Sequence, residues 1–188
     1  MNKSLIFGFI AFFILVLIAA GAYISIRNDL VALDETINQA EAEIDNQLQR
    51  RSDLIPNFVN TVKGYAAHEQ QVFSDIAEAR ARLAGAGTME EKSRSYNDMQ
   101  SALSRLLVIV EQYPDLKANQ NFIALQDELA GTENRLAVAR MRYNESVRSF
   151  NTKIRSFPSS IVAGNMGFSQ RAYFEIAGAA REVPVVNF

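Results

Sequence analysis

Residues 5–26 read LIFGFIAFFILVLIAAGAYISI, from Leu5 to Ile26. No charge interrupts these 22 residues. As a helix they are long enough to cross a bilayer core of roughly 30 Å. No other stretch of the 188-residue chain has this character. Ala20-Gly21-Ala22 resembles a small-residue cleavage site, but the apolar region of a cleaved signal is usually about 7–15 residues. The stretch therefore reads as a retained transmembrane anchor over residues 1–27. Lys3 and the amino terminus precede it and Arg27 follows. That balance tips the N-terminus toward the cytoplasm and the rest of the chain outside it, in a single-pass cell (inner) membrane protein.

Beyond the anchor the pattern is helical. Leu30, Leu33, Ile37, Ala40, Ile44 and Leu48 recur at three- and four-residue steps, one face of a helix. Asp34, Glu35, Glu41, Glu43 and Asp45 lie on its other faces, and nothing between anchor and helix breaks the pattern. Ser52 and Asp53 are good N-caps and Pro56 suits a first turn, so a second helix is expected from Leu54 to the Gly85-Ala86-Gly87 stop. Thr88 with Glu91 makes a capping box, opening a third helix through Tyr96, Met99, Leu103, Leu106 and Val110. After Pro114-Asp115 a fourth and longest stripe runs from Phe122 to Phe157.

The expected fold is all-α: the transmembrane helix continues into an antiparallel up-down-up-down four-helix bundle over residues 28–157. Residues 158–188 follow as a loop (158–168), a short helix (170–181) and a tail. The acidic first helix and the Arg-rich fourth would either attract or stay solvated. The fourth helix returns toward the membrane in this topology. Ile161, Val162, Met166 and Phe168 in the following loop then touch lipid head groups or a membrane partner, or else cover the open bundle end. The Arg50-Arg51-Ser52-Asp53 corner is a charge-paired turn or a partner-docking point. The C-terminal Phe188 either docks into a partner that captures chain ends or packs on the bundle.

Composition excludes several chemistries. The chain has no Cys and a single His, so disulfides, thiol catalysis and Cys- or His-rich metal sites are ruled out. His68-Glu69 lacks the second His of a zinc helix, because Val72 stands there. Gly85-Ala86-Gly87 lacks the Lys-Ser/Thr continuation of a phosphate loop. A net charge of -2 gives no basic field for nucleic acid. Asn119, Gln120, Asn121, Gln126 and Asn134 cluster near the start of the fourth helix, where amides either fix helix register or face a partner. No catalytic, cofactor-binding or metal residue is expected.

Several longer motifs carry a resemblance. RRSDLIPNFV at 50–59 and TVKGYAAHE at 61–69 are followed by YPDLKAN at 113–119, LQDELAGTENR at 125–135 and RMRYN at 140–144. Phe157-Pro158-Ser159 and Tyr173-Phe174-Glu175 complete the series. Together they resemble the LemA family over essentially 28–188. The resemblance implies a bacterial membrane protein with one N-terminal span and a helical domain, and no established reaction. Some relatives are associated with organising intracellular membranes, others with partner membrane proteins.

The expected function is that of a membrane-anchored scaffold or interaction protein, joined to the bilayer through Leu5–Ile26. Its partners would be further copies of itself or other membrane proteins. The alternatives are an accessory subunit or sensor for a membrane enzyme, or an enzyme whose site has no recognisable motif.

Overall fold

The computed structural model describes residues 3–66 and 68–176, with side chains from residue 6 onward. Six helices and no strand occur among the described residues. They are α1 (Lys3–Lys63), α2 (Gln70–Ala84), α3 (Met89–Val110), α4 (Pro114–Lys117), α5 (Gln120–Arg155) and α6 (Ser159–Asn165). The chain is all-α and begins with one long helix apolar enough at its start to cross a membrane.

Helix α1 does not stop at Ser52-Asp53, where the caps predict a break. It runs through Pro56 to Lys63 without interruption. A proline inside a helix lacks the N–H that would bond the carbonyl four residues back, here that of Ser52. Arg80 of α2 supplies the missing donor: its Nε lies 2.9 Å from the Ser52 carbonyl and 3.1 Å from Ser52 Oγ. The helix breaks instead at Gly64-Tyr65, where Tyr65 and Ala66 N–H both return to the Val62 carbonyl. The second helix is consequently shorter than expected, starting at Gln70 rather than Leu54. The Thr88–Glu91 capping box that opens α3 forms as the spacing predicts.

The chain folds as two compact units. The first comprises Met1–Gln39 and Glu145–Arg171. Its buried side chains include Leu30, Ile37, Val147, Phe150, Ile154, Val162 and Ala163. Lys153 Nζ lies 3.3 Å from Asp29, and Arg171 reaches Asp34 at 2.7 Å and Asn38 at 3.3 Å. The stretch predicted as a loop after Pro158 is instead α6. Pro158 ends one helix and occupies the N-cap of the next, a place proline suits as well as a terminus. Gly167, at φ 72°, closes α6. Phe168 N–H returns to the Ala163 carbonyl and Gly167 N–H to that of Gly164, a Schellman arrangement. The Phe168 ring then meets Phe150 edge-on at 5.4 Å.

The second unit comprises Ala40–Asn144 and Ala172–Phe188, the latter described to residue 176. Ile44, Leu48, Ile55, Phe58 and Val62 of α1 are buried in it, as are Phe73 and Ile76 of α2. So are Tyr96, Met99, Leu103 and Leu106 of α3, and Phe122, Leu136 and Tyr143 of α5. Phe58 stacks on Phe122 at 5.2 Å. Residues 170–176 are not the start of a helix, contrary to the pattern's expectation. Their main-chain groups are taken by side chains of other elements, as set out below.

Candidate interaction surfaces

A polar network lies inside the second unit. Arg51, 5% exposed, donates from Nη1 to Glu133 at 2.5 Å and from Nη2 to Gln100 at 2.6 Å. The Tyr96 hydroxyl donates to the same Glu133 carboxylate, at 2.5 and 2.6 Å to its two oxygens. The Arg51 guanidinium also sits 5.8 Å from the centroid of the Tyr96 ring. Burial first, and the Glu133 carboxylate second, push the Tyr96 phenol far above its ordinary pKa. The group stays protonated and keeps its donor. Nearby on the surface, Arg50 bonds Glu128 at 2.6 Å and Arg135 reaches the same oxygen at 3.1 Å. The Arg50 hydrogen bond is the chief cause that holds Glu128 below the usual carboxylate pKa.

Arg50 and Arg51 therefore stand within a continuous helix and not at a turn. Arg51 is committed to an internal pair. Lys92 of α3 reaches into the acidic part of α1, 2.7 Å from Asp45 and 3.1 Å from Glu41. Burial alone would lower the Lys92 pKa, but the hydrogen bonds to Asp45 and Glu41 outweigh it and raise the group. Asn119 accepts from the N–H groups of Asn121 and Phe122, closing the first turn of α5, and donates to the Tyr65 hydroxyl at 3.1 Å.

Residues 172–176 are bound through their main chain. The Asn144 side chain makes a two-bond clamp on Phe174, accepting its N–H at 2.9 Å and donating to its carbonyl at 3.1 Å. The Tyr143 hydroxyl donates to the Ala172 carbonyl at 2.9 Å. Ser93 Oγ and Asn97 Nδ2 of α3 both donate to the Glu175 carbonyl, Asn97 at 3.3 Å. Phe174 is the one buried side chain of the segment, 1% exposed and 5.9 Å from the Tyr96 ring. The first unit contains the same device: Asn151 accepts Arg171 N–H and donates to its carbonyl, both at 2.9 Å. The motif reading passed over these amides. Their signal was an aromatic–Asn dipeptide, Tyr143-Asn144, returning seven residues later as Phe150-Asn151.

In the first unit, the membrane-contact residues expected from the sequence separate. Val162 is buried, and Phe168 packs on Phe150 with Met166 half-buried beside the turn. Ile161 stays 58% exposed. Phe157, expected on the buried stripe of the fourth helix, is 82% exposed. Phe188 lies outside the described residues.

Among the described residues no three His, Asp or Glu side chains gather as a metal site. His68 is exposed. The largest described hollow, about 510 Å³ and open to solvent, is lined by Lys63, Gln70, Phe73, Ser74 and Ala77, with no acid–base pair. By contrast, the start of α1 is apolar and unpacked: Phe7, Phe9, Phe12, Leu15 and Ile18 are all exposed.

These features define an all-α protein with a bare apolar N-terminal helix and side chains committed to packing and main-chain capture. The chain belongs to the LemA family, whose sequence profile matches residues 40–188. It is 28% identical over 181 residues to protein LemA of Metamycoplasma hominis, covering 93% of this chain and 81% of that protein. It is also 24% identical over 186 residues to the magnetosome protein MamQ 2 of Paramagnetospirillum magneticum, covering 85% and 68%. The magnetosome protein MamQ of Magnetospirillum gryphiswaldense is similar to the same extent, at 24% identity over 186 residues.

Proposed function

We propose that this chain is a single-pass membrane protein that organises other membrane components or further copies of itself, and that it catalyses no reaction. The observation behind this reading is the first part of α1, apolar all round and exposed from Ile6 to Ile18. A contiguous apolar surface of that kind in water would be an aggregation liability, and its natural solvent is lipid. Relatives named as magnetosome proteins support a place at a membrane. The long helices form an antiparallel up-down bundle in this reading. Inside the second unit, Phe58 pairs with Phe122 and Arg51 with Glu133, so α1 numbers fall as α5 numbers rise. Phe157 and Ile161 touch the bilayer surface. In their unit Lys153 is tied to Asp29, three residues past the apolar stretch. The soluble part lies outside the cytoplasm.

Flotation with lipid vesicles tests the anchor. The full-length protein is expected to float and to resist extraction by salt, and recovery in the soluble fraction would reject it. Purification from the native membrane in mild detergent tests the organising role. Co-purifying membrane proteins or assemblies of the chain support it, and a lone monomer under cross-linking rejects it.

A further inference from the structure

Residues 172–176 of the second unit have no secondary structure of their own, yet they are firmly held. Their recognition has two parts. The first is the main chain: Asn144 takes both polar groups of Phe174, Tyr143 takes the Ala172 carbonyl, and Ser93 and Asn97 share the Glu175 carbonyl. The second is one ring, Phe174, buried against Tyr96. Tyr173, Glu175 and Ile176 are exposed and add little selection. The groove between α3 and α5 is in effect a peptide site already filled by the chain's own strap.

A strap of this kind has an equally good substitute in the strap of a second copy. Every contact broken in one chain is remade in its neighbour, so the exchange carries little cost in contacts. Local concentration then decides the partner, and anchoring in one membrane raises it greatly. Residues 166–171 join α6 to the strap without helix. Extended, six residues reach up to about 20 Å, beyond the roughly 8–10 Å between packed helix axes.

We infer that the strap passes between neighbouring copies, the 172–176 segment of one chain filling the α3–α5 groove of the next. The inference rests on the proposed gathering of chains in a membrane and names what joins them. Exchange in both directions closes a dimer; exchange in one direction links chains into a row.

The absence of Cys makes the test clean, because introduced thiols have no competitors. Full-length Asn97→Cys and Glu175→Cys proteins are mixed in vesicles at increasing density and treated with a short bis-maleimide. A chain carrying both substitutions serves as reference and is expected to cross-link within itself. The mixture is expected to give a dimer containing one of each chain, increasing with density. Adding Phe174→Ala to the Glu175→Cys chain is expected to lower its yield by more than about tenfold, given tenfold per 1.4 kcal/mol. Asn144→Leu on the recipient chain should act alike, should the first variant fold poorly. The inference is overturned when the doubly substituted chain cross-links only within itself and the mixture yields no mixed dimer. Failure of the doubly substituted chain to cross-link at all removes the docked strap and overturns it as well. Amine-reactive cross-linking of the same vesicles separates the two readings. Assemblies without a thiol-linked dimer leave the organising role standing and remove the exchange; absence of any assembly removes both.

Discussion

Arg80 Nε donates to the Ser52 carbonyl across 2.9 Å, and Ser52 is the residue whose helical donor Pro56 lacks. One residue of α2 thus mends a defect that a proline writes into α1. Ser52 is buried, so water cannot take over the carbonyl. Arg80→Ala is expected to cost about 1–3 kcal/mol, the penalty of an unsatisfied buried acceptor. In a Pro56→Ala background the helix regains its own N–H and the cost should shrink. A double-mutant cycle by denaturant unfolding reads the coupling, and equal costs in both backgrounds would refute the assignment.

Glu133 anchors both Arg51 and Tyr96. Glu133→Ala leaves a buried guanidinium with only Gln100 as a side-chain partner, and loss of one member of a buried pair costs about 3–5 kcal/mol. Arg51→Met, which removes the charge and keeps an unbranched apolar stem, should cost less, since the Glu133 left behind is one-third exposed. Unfolding midpoints of the two variants rank them, and the reverse order would contradict the network described.

Acid should loosen two corners first. The Gly87 and Thr88 N–H groups hold Glu91 below its ordinary pKa, and Arg50 does the same for Glu128. Both carboxyls are depressed in the folded chain. Their contribution is therefore present above the unfolded value of 4.5 and is lost as pH falls below it through the folded values. Glu91→Gln and Glu128→Gln should each flatten the stability curve below pH 4.5 and leave its alkaline side unchanged. Thermal melts across the acid range measure this.

Spin labels can be placed on α6 and the turn before it. A label at Phe157 or Ile161 is expected to be quenched by a lipid-borne relaxation agent in vesicles. A label at Val162, whose side chain is buried, should be shielded from it. Equal shielding at all three positions would remove the proposed bilayer contact.

Apolar periodicity made the helices legible, because burial at three- and four-residue steps is imposed by helix geometry itself. Ile37, Ile44, Tyr96, Leu106, Leu136 and Phe150 are all buried where their stripes place them. Punctuation was less legible. Ser52-Asp53 and Pro56 carry the chemistry of a helix start, and what overrides it is an arginine 28 residues away. Pro158 has the opposite ambiguity, ending α5 and opening α6 with one ring. The strap was the least legible element. Helical spacing in 170–176 is real, but side chains from α3 and α5 compete for its amides and carbonyls and win, an outcome set by tertiary structure alone.

The clamp that Asn144 places on Phe174 grips atoms common to every amino acid. Positions 172, 173 and 175 should therefore drift in related sequences with little penalty, while a ring persists at 174 and an amide at 144. An evolutionary record of that shape would be the imprint of recognition by backbone.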